Sequence, residues 1–477
     1  MPSFQCSFRQ HANVFNHYWE HTAGSGNARL ALRADWQKQL TRCHTELGFR
    51  HVRFHALLSN SLGTLVREEN KLIYSFFNTD RIMDFLLSIG MRPFIELSFM
   101  PEALASGSQT VFHYRGNVTQ PADYGQWGTL IRKLARHWVE RYGVAEVRQW
   151  FFEVWNEPNL SSFWKGSQQD YFRLYRTSAL ALKRVDAALR VGGPATADNQ
   201  WVTPFLNYCR RHRVPVDFVT THHYPTDAFG KASTDTVTQL QHFQREAMKK
   251  KTAGVRREAG SLPLYYTEWN CSSNPRDPLH DEPFAAAFAT RMIMDADGLM
   301  EGYSFWTFSD IFEENYFPSV PYHGGFGLLN LYGVPKPVYR AFQLLHRLGE
   351  KRLDVEGRHS TVDVWVVTKE GGATILMTNL AMPRHAIQTE LVEIMLAGAP
   401  LPRRSWMERI DNEHANPRRD WGAMGKPEYL SPRDVERLEN ASRVGKEEIP
   451  WRREGGAVYF SAELPPQSLA AITFEYA

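Results

Sequence analysis

Two glutamates among aromatic residues are the strongest candidates for acid–base chemistry in this chain. Glu157 lies in the tetrapeptide 155–158 (Trp-Asn-Glu-Pro), directly after the apolar run 149–154, and Glu268 lies in the similar segment 264–270. One carboxylic acid can deliver a proton to a leaving oxygen. Two such carboxyl groups that face each other across a pocket are the requirement of glycoside hydrolysis.

Strand-like runs alternate with helical patterns over most of the chain. The runs are rich in β-branched and aromatic residues, with turn residues nearby; they are 12–18, 50–57, 93–99, 149–156, 190–195, 217–224, 263–269 and 302–308. The run 12–18 is the most polar of them. Apolar residues at helical spacing predict helices at 82–89, where Gly90 ends the pattern, and at 123–143, 167–189, 234–259 and 282–299.

This alternation predicts an α/β fold, a (β/α)₈ TIM barrel, in which reactive side chains lie at the carboxyl ends of the strands. The alternative is a doubly wound open sheet, because periodicity alone cannot show closure. No glycine-rich dinucleotide fingerprint follows the first strand, which disfavours the open sheet. In the barrel, Glu157 closes the fourth strand and Glu268 the seventh, so the two side chains can reach across the mouth.

A β-sandwich is predicted after residue 350. Residues 361–367 and 373–380 form a hairpin around Glu370-Gly371-Gly372, and further strands are predicted at 386–395, 457–462 and 468–476. The polar stretch 403–445 is interpreted as a long irregular excursion with a short helix at 431–440. We therefore expect a catalytic barrel over 12–345 and a sandwich over 346–477, with residues 1–11 as a candidate extra strand of the sandwich.

Composition excludes some classes of partner. The 477 residues suffice for one large and one smaller domain, and the formal net charge of +3 is too small to indicate nucleic acid or an anionic membrane. Aromatic residues make up 13% of the chain. Surplus core packing explains such an excess, and flat aromatic faces in a sugar-binding cleft explain it equally well.

The cysteines indicate a reducing compartment. Cys6, Cys43, Cys209 and Cys271 show neither metal-ligand spacing nor the density of a disulfide framework. No basic region followed by an apolar core opens the chain, and no apolar run approaches the length of a membrane span, about 18 residues. We expect a cytoplasmic protein with neither signal peptide nor membrane segment.

Several stretches match, in order, those of a known enzyme family. They are Arg53-Phe54-His55, Leu97-Ser98-Phe99-Met100-Pro101, Phe152-Glu153-Val154-Trp155-Asn156-Glu157-Pro158-Asn159, Thr221-His222-His223-Tyr224-Pro225 and Thr267-Glu268-Trp269-Asn270. On these residues the chain resembles glycoside hydrolase family 39, in the clan of retaining (β/α)₈ glycosidases. Its best-known bacterial members are β-xylosidases, and its animal relatives are α-L-iduronidases.

The resemblance implies a division of labour between the glutamates. Glu157 becomes the acid/base and Glu268 the nucleophile, with Asn156 bound to the sugar 2-hydroxyl and Tyr224 donating a hydrogen bond to Glu268. His222 becomes the cleft residue of the pair 222–223, because adjacent strand residues point to opposite faces. That geometry disfavours a shared metal, and no third ligand is evident.

The remaining implied contacts are to the sugar. Arg53 and His55 alternate on strand two and would hold sugar hydroxyls, although a structural ion pair explains them nearly as well. Trp306 would be the platform under the ring, with core packing as its alternative role. Glu314 would bind a distal hydroxyl, and Phe112 would form a wall on the leaving-group side.

We therefore expect a retaining β-xylosidase that releases xylose from the non-reducing ends of short oligosaccharides, with no metal or organic cofactor. An α-L-iduronidase or an arabinosidase on the same scaffold is the first alternative, and a non-catalytic sugar-binding protein is the second. Cations near the sugar would indicate an iduronidase, and Lys165 alone does not decide this. The segment 57–61 (Leu-Leu-Ser-Asn-Ser) lacks acidic residues that family β-xylosidases often carry, which leaves the aglycone preference open. A monomer is slightly favoured over a homo-oligomer.

Overall fold

The computed structural model describes residues 1–227, 235–316, 318 and 320–476. Its strands are β1 Ser3–Ser7, β2 Asn13–Val14, β3 Thr22–Asn27, β4 His51–His55, β5 Leu65–Glu68, β6 Lys71–Tyr74, β7 Arg92–Glu96, β8 Thr110–Val111, β9 Gly116–Asn117, β10 Phe151–Glu153, β11 Arg190–Thr196, β12 Phe218–His222, β13 Leu264–Trp269, β14 Gly302–Phe305, β15 Lys351–Leu353, β16 Val355–Glu356, β17 Val362–Lys369, β18 Gly372–Asn379, β19 Glu390–Ala397, β20 Pro402–Ile410, β21 Lys446–Glu448, β22 Arg452–Glu454, β23 Ala457–Leu464 and β24 Ser468–Tyr476.

Its α-helices are α1 Ala34–Leu47, α2 Phe77–Ser88, α3 Tyr124–Tyr142, α4 Val144–Val147, α5 Gln168–Lys183, α6 Val202–His212, α7 Thr236–Gln241, α8 Ala247–Ala259, α9 Pro283–Asp295, α10 Pro337–His346, α11 Pro417–Ala423 and α12 Pro432–Ala441. None of the helices in the described ranges is both long enough and apolar enough to cross a lipid bilayer.

A closed parallel barrel forms the larger part of the molecule. Its strands follow the order β3-β4-β7-β10-β11-β12-β13-β14, and β14 closes the ring by pairing with β3 at Phe305 and Ala23. The predicted (β/α)₈ barrel is thereby confirmed and the open sheet is excluded. The carboxyl ends of all these strands meet at one mouth, where the site residues lie.

The prediction of the first barrel strand was wrong. Residues 13–14 pair with β15 in a different sheet, and residues 18–20 form a 3-10 turn. The true first strand, β3, has the sequence Thr-Ala-Gly-Ser-Gly-Asn, which lacks the β-branched and aromatic residues that mark a strand. Packing requires glycine at position 24 of this strand, because a Cβ on Gly24 would lie 2.6 Å from the ring of Trp306.

The helical predictions need two further corrections. The single helix expected at 234–259 is two helices, α7 and α8, with a break at residues 242–246; residue 234 lies outside the described part of the chain. Because this region is polar, its sequence did not predict the break between the two helices. Helices α1, α6 and α10 were not predicted.

Two sheets form the sandwich, with the orders β16-β1-β19-β23-β22 and β2-β15-β17-β18-β24-β20-β21. The predicted hairpin is β17 and β18, and the helix expected at 431–440 is α12, which Ser431 begins with a capping box to Asp434. The start of the supposed irregular excursion is instead strand β20. Its side chains Arg403 and Arg404 are exposed and Glu408 is buried, while its backbone pairs with β24 from Pro402 to Ile410.

The chain crosses between barrel and sandwich twice. Strand β1 pairs with β19 and β16 in one sandwich sheet, and β2 pairs with β15 in the other. The segment 15–21 then enters the barrel, and the segment 347–350 returns from α10 to the sandwich. The division at residues 12–345 and 346–477 stays a prediction.

Candidate active site

Both candidate glutamates open into one pocket at the mouth of the barrel, with a cavity volume of about 320 Å³. One oxygen of Glu157, one of Glu268 and one ring nitrogen of His222 all lie within 4.8 Å of one another. The two carboxyl groups are therefore close enough for the arrangement of retaining glycosidases, whose carboxyl groups lie about 5–5.5 Å apart.

Arg53 is the buried hub that orients the carboxylates. Its Nη1 donates to Glu268 Oε1 at 2.8 Å, its Nε to Glu153 Oε2 at 2.6 Å, and its Nη2 to Asn156 Oδ1 at 2.9 Å. The guanidinium also lies 2.8 Å from Glu96, and the side chain has no exposed surface. A planar, permanently charged fork can hold several acceptors at once in fixed directions.

Glu268 is held at both of its oxygens. Oε1 accepts from Arg53, and Oε2 accepts from the hydroxyl of Tyr224 at 2.9 Å. Burial, and then the charge of Glu268, raise the pKa of Tyr224 well above its ordinary value, so the phenol keeps its proton. These donors stabilise Glu268 as a carboxylate.

Glu157 has the opposite surroundings. Burial, and after it the negative charge of Glu268, raise the pKa of Glu157 well above that of an ordinary glutamate. The opposing effect of Arg53 is smaller. A carboxyl group held neutral in this way can act as a general acid at neutral pH.

A chain of hydrogen bonds agrees with the protonated state of Glu157. The Thr267 hydroxyl donates to Glu153 Oε1 at 2.7 Å, so its oxygen is free to accept from His222 Nε2, 3.1 Å away. Burial lowers the pKa of His222 well below its ordinary value, and the neutral ring then presents a lone pair at Nδ1. Nδ1 lies 3.0 Å from Glu157 Oε1, where it accepts the carboxylic proton.

The sugar side of the pocket is aromatic and acidic. His55 Nδ1 lies 2.6 Å from Glu96 Oε2, and its Nε2 is 3.5 Å from both Glu268 Oε1 and Glu314 Oε1. The Trp306 ring packs 4.7 Å from the His55 ring and lines the pocket. His55 and Trp306 therefore meet the cavity from strands β4 and β14, which lie on either side of β3.

Glu314 is a second carboxyl group that burial keeps neutral. Its pKa lies well above the ordinary value because of burial and then the charge of Glu268. Its Oε1 is buried with no hydrogen-bond partner, and the residue lines the pocket. Phe112 also lines the pocket and packs 6.3 Å from the His55 ring. Each candidate site residue thus lies in the pocket or, for Arg53 and His222, directly beneath it.

His222 and His223 point in different directions. His222 faces Glu157, whereas His223 Nδ1 lies 3.2 Å from Asp198 on the outer side of the strand. The donors Glu157, His222 and Glu268 are close enough to hold a metal ion. Arg53 already supplies positive charge to Glu268, and the absence of a metal stays a prediction.

Sequence reasoning missed the buried carboxylates Glu96 and Glu153 and the relay residue Thr267. Both glutamates interrupt apolar strands, in the sequences Arg-Pro-Phe-Ile-Glu and Phe-Phe-Glu. A charge in a strand that is buried on both faces must be paired. That signal predicts a buried cation nearby, and Arg53 lies on β4, next to the strand of Glu96 and two strands from that of Glu153.

The rim carries one cation in the part of the chain that the structure describes. Lys251 is the only lysine or arginine among the described residues that line the pocket, and its ammonium lies 2.8 Å from Asp198 Oδ1. Lys165 does not line the pocket. Such a rim offers little to a substrate with an anionic sugar.

Comparison with known proteins identifies one matching family and several similar enzymes. The model of the family described as glycosyl hydrolases family 39 matches residues 5–458. A β-xylosidase of Caldicellulosiruptor saccharolyticus is 47% identical over 466 residues, 96% of this chain and 96% of that protein. A human α-L-iduronidase is 32% identical over 165 residues, 33% of this chain and 24% of that protein. The crystal structure of a monomeric β-xylosidase from Caulobacter crescentus CB15 matches with a TM-score of 0.84 and 32% identity, covering 100% of both chains.

Proposed function

This chain belongs to glycosyl hydrolases family 39, and we propose that it is a retaining β-xylosidase that releases xylose from the non-reducing ends of short oligosaccharides. The observation that carries the proposal is the meeting of Glu157 and Glu268 in one pocket, within 4.8 Å at their nearest ligand atoms. The pKa of Glu157 is raised by burial and then by the charge of Glu268, whereas Glu268 accepts hydrogen bonds from Arg53 and Tyr224, which suits an acid and a nucleophile in double displacement.

In the first step, Glu268 attacks the anomeric carbon while Glu157 gives its proton to the leaving oxygen. Arg53 and Tyr224 both donate to Glu268 and fix the direction of its lone pairs. The C–O bond to the aglycone breaks as the bond to Glu268 forms, and the aglycone leaves as an alcohol. His222 accepts a hydrogen bond from Glu157 and so holds the acid in position until the transfer.

In the second step, the covalent bond has removed the negative charge of Glu268. The pKa of Glu157 then falls, because the second-largest cause of its elevation is that charge. Glu157 now acts as the base that takes a proton from water, and the water displaces Glu268. The sugar leaves with its original anomeric configuration.

The remaining candidate residues would bind the xylose ring. The amide oxygen of Asn156 accepts a hydrogen bond from Arg53. The NH₂ group of Asn156 would then point toward the sugar and donate to its 2-hydroxyl. Trp306 would support the apolar face of the ring, and neutral Glu314 would donate to a distal hydroxyl. His55 would contact the hydroxyls between them, and Phe112 would border the leaving-group side.

The alternatives receive less support. The α-L-iduronidase match covers a third of the chain, and Lys251, the lining cation in the described region, is already paired with Asp198. Arabinoside hydrolysis requires only a different pentose in the same pocket, so it stays the closer alternative. A purely sugar-binding role does not explain why the pocket holds one carboxyl group neutral and ionises its neighbour.

Three finer features belong to the same proposal. A monomer is favoured by the likeness to the Caulobacter protein, whose structure is described as monomeric. A cytoplasmic location is supported by four cysteines that are buried and unbridged. A catalytic barrel with a packed accessory sandwich is supported by two apolar clusters. One fills the barrel and extends onto the sandwich strands β17, β18 and β24, and the other lies between the sandwich sheets.

A panel of aryl glycosides tests the substrate assignment. The sugars are β-xylose, α-L-arabinose, β-glucose and α-L-iduronate on one chromophoric aglycone, and kcat/KM should be highest for the xyloside. Glu268→Ala should abolish turnover of every sugar, because no other group can form the glycosyl-enzyme. A preference for arabinoside or iduronide would reject the substrate assignment, and full activity of Glu268→Ala would reject the mechanism.

A further inference from the structure

Three metal-binding side chains meet at the end of the barrel opposite the pocket. Glu20 Oε1 lies 2.8 Å from Nδ1 of His17 and 2.8 Å from Nδ1 of His346. These three ligand atoms lie within 4.8 Å of one another. His17 and Glu20 bracket the 3-10 turn 18–20, and His346 is the last residue of α10.

A neutral His17 ring cannot satisfy both of its polar contacts by donating hydrogen bonds. Its Nδ1 faces the Glu20 carboxylate, and its Nε2 faces the carbonyl oxygen of Gly349 at 3.3 Å. Both neighbours accept protons, yet a neutral imidazole has one N–H to donate. His346 turns another ring nitrogen to the same Glu20 oxygen, so three ligand atoms converge on one point.

A cation between the three side chains would satisfy all of these contacts while both histidine rings are neutral. The Nδ1 lone pairs of His17 and His346 and the Glu20 oxygen would all point to the ion, and His17 Nε2–H would donate to the Gly349 carbonyl. A metal-bound histidine usually donates its other N–H to a carbonyl or carboxylate in this manner. The ring of His17 is further fixed by stacking on Trp19 at 4.6 Å.

We propose that His17, Glu20 and His346 form a binding site for a borderline divalent metal ion of the Zn²⁺ class. Two imidazoles and one carboxylate are a donor set that such ions prefer. Glu20 is 8% exposed and rigidly placed, whereas the His346 side chain is 37% exposed. The exposed side gives the ion an entry path and admits water as the fourth ligand.

The position of the site indicates its effect. Residues 15–20 carry the chain from β2 in the sandwich into the barrel, and residues 346–351 carry it back to β15, which pairs with β2. The backbone N–H of Phe15 already donates to the carbonyl of Glu350 at 2.8 Å. A metal ion here fastens both crossings together, so it stabilises the junction of barrel and sandwich.

Co²⁺ spectroscopy tests the site directly. The full chain, without an affinity tag, is stripped of metal with a chelator and titrated with Co²⁺. We expect one equivalent to bind and give the visible absorption of low-coordinate Co²⁺, and we expect His17→Ala and His346→Ala to lose it. The matched control is His137→Ala, whose ring is 34% exposed and pairs with the Asp80 carboxylate; it should bind as the unaltered protein does.

Thermal unfolding provides a second readout. Zn²⁺ at a hundredfold excess over its Kd should raise the Tm by about 3 °C in the unaltered protein and in the control, and should leave His346→Ala unchanged. His346 lies at an exposed helix end, so this variant keeps the test available if His17→Ala does not fold. Absence of stoichiometric Co²⁺ and Zn²⁺ binding, or binding that survives both substitutions, overturns the proposal.

Discussion

Glu157 and Glu268 have the same side chain but lie in two different electrostatic environments. The buried site holds more carboxyl groups than cations; they are Glu96, Glu153, Glu157, Glu268 and Glu314, around the single guanidinium of Arg53. Such an excess cannot stay fully ionised without water. The protons therefore lie on the groups that Arg53 does not contact, and Glu157 and Glu314 are two of these.

The first prediction concerns Glu157→Ala. Substrates with poor leaving groups should lose most activity, about 10²–10⁴-fold in kcat/KM, because they depend on protonation, whereas activated aryl xylosides should lose less. The alkaline limb of the pH profile should also disappear, since activity of the unaltered enzyme falls as pH rises through the elevated pKa of Glu157. Steady-state kinetics of an alkyl and a nitrophenyl xyloside measure both effects.

Azide provides the control for this variant. It should restore turnover of the aryl xyloside by attacking the glycosyl-enzyme, and the product should be the β-xylosyl azide. Equal losses for both substrates together with no azide rescue would contradict the acid/base role.

At the scale of single residues, the sequence identified the groups with a pattern of their own. Glu157 and Glu268 each follow or end a strand among aromatics, which marks them without coordinates. The role of His222 as an acceptor is different, because it depends on Thr267 donating to Glu153. The direction of the proton is set by three-dimensional contacts between residues of three strands, and no spacing along the chain encodes it.

Among the elements, the segment after β14 depends on a buried ion cluster. Lys336 Nζ lies 2.7 Å from Asp281 Oδ1 and 2.6 Å from Asp310 Oδ2, and donates to the Gly325 carbonyl at 2.9 Å. The same carboxylates accept from the backbone N–H groups of Gly324 and Gly327. Between these glycines lies Phe326, which lines the pocket. The cluster therefore positions a pocket wall.

We predict that Lys336→Met destabilises the protein by about 3–5 kcal/mol, because two buried carboxylates lose their cation. KM for the xyloside should also rise as Phe326 shifts. The control is Lys251→Met, whose partner Asp198 is half-exposed, and whose removal should cost less than about 1 kcal/mol of unfolding free energy. Urea unfolding compares the two, and equal stabilities of both variants would contradict the account.

Most elements were predictable where their residue types agree with their structure. Strand β13 is mostly apolar and aromatic, and the predicted run 263–269 overlaps it. Strand β3 was missed because close packing beneath Trp306 demands glycine, and glycine carries no strand signal. Strand β20 was missed because its several arginines and its glutamate resemble the composition of a loop, while its pairing with β24 is a tertiary contact.

For the whole molecule, a plug of rings seals the barrel at the end opposite the pocket. The ring of His21 stacks on that of His51 at 4.5 Å, against Phe151 and Tyr265. Burial lowers the pKa of His51 to about 4 and that of His21 well below its ordinary value, and neighbouring arginines act in the same direction. Both rings are therefore neutral in the folded protein at neutral pH.

Acid should weaken the fold through these histidines. Between pH 6.5 and about 4 the unfolded chain binds protons that the folded chain excludes, so stability falls as pH falls, by at most about 3 kcal/mol for His51. His51→Gln keeps a neutral donor and should lose less stability over this interval. Urea unfolding at pH 7 and pH 4.5 measures the difference, with exposed His212→Gln as the control; an unchanged pH dependence in His51→Gln would contradict the assignment.

For the whole molecule, the barrel and the sandwich could be predicted from the order of strand and helix patterns along the chain. Closure was not encoded in any local pattern, because it rests on the pairing of β14 with β3, two strands from opposite ends of the barrel sequence. The double crossing between barrel and sandwich could likewise not be predicted, since β2 is two residues long and both residues are exposed.

The most direct test of the double-displacement mechanism is capture of the covalent intermediate. A 2-deoxy-2-fluoro-β-xyloside with a good leaving group slows the second step more than the first, and mass spectrometry of the digested protein locates the attached sugar. The account predicts one fluoroxylosyl group per chain, on the carboxyl group of Glu268. Attachment to another residue, or release of a product with inverted anomeric configuration and no adduct, would contradict it.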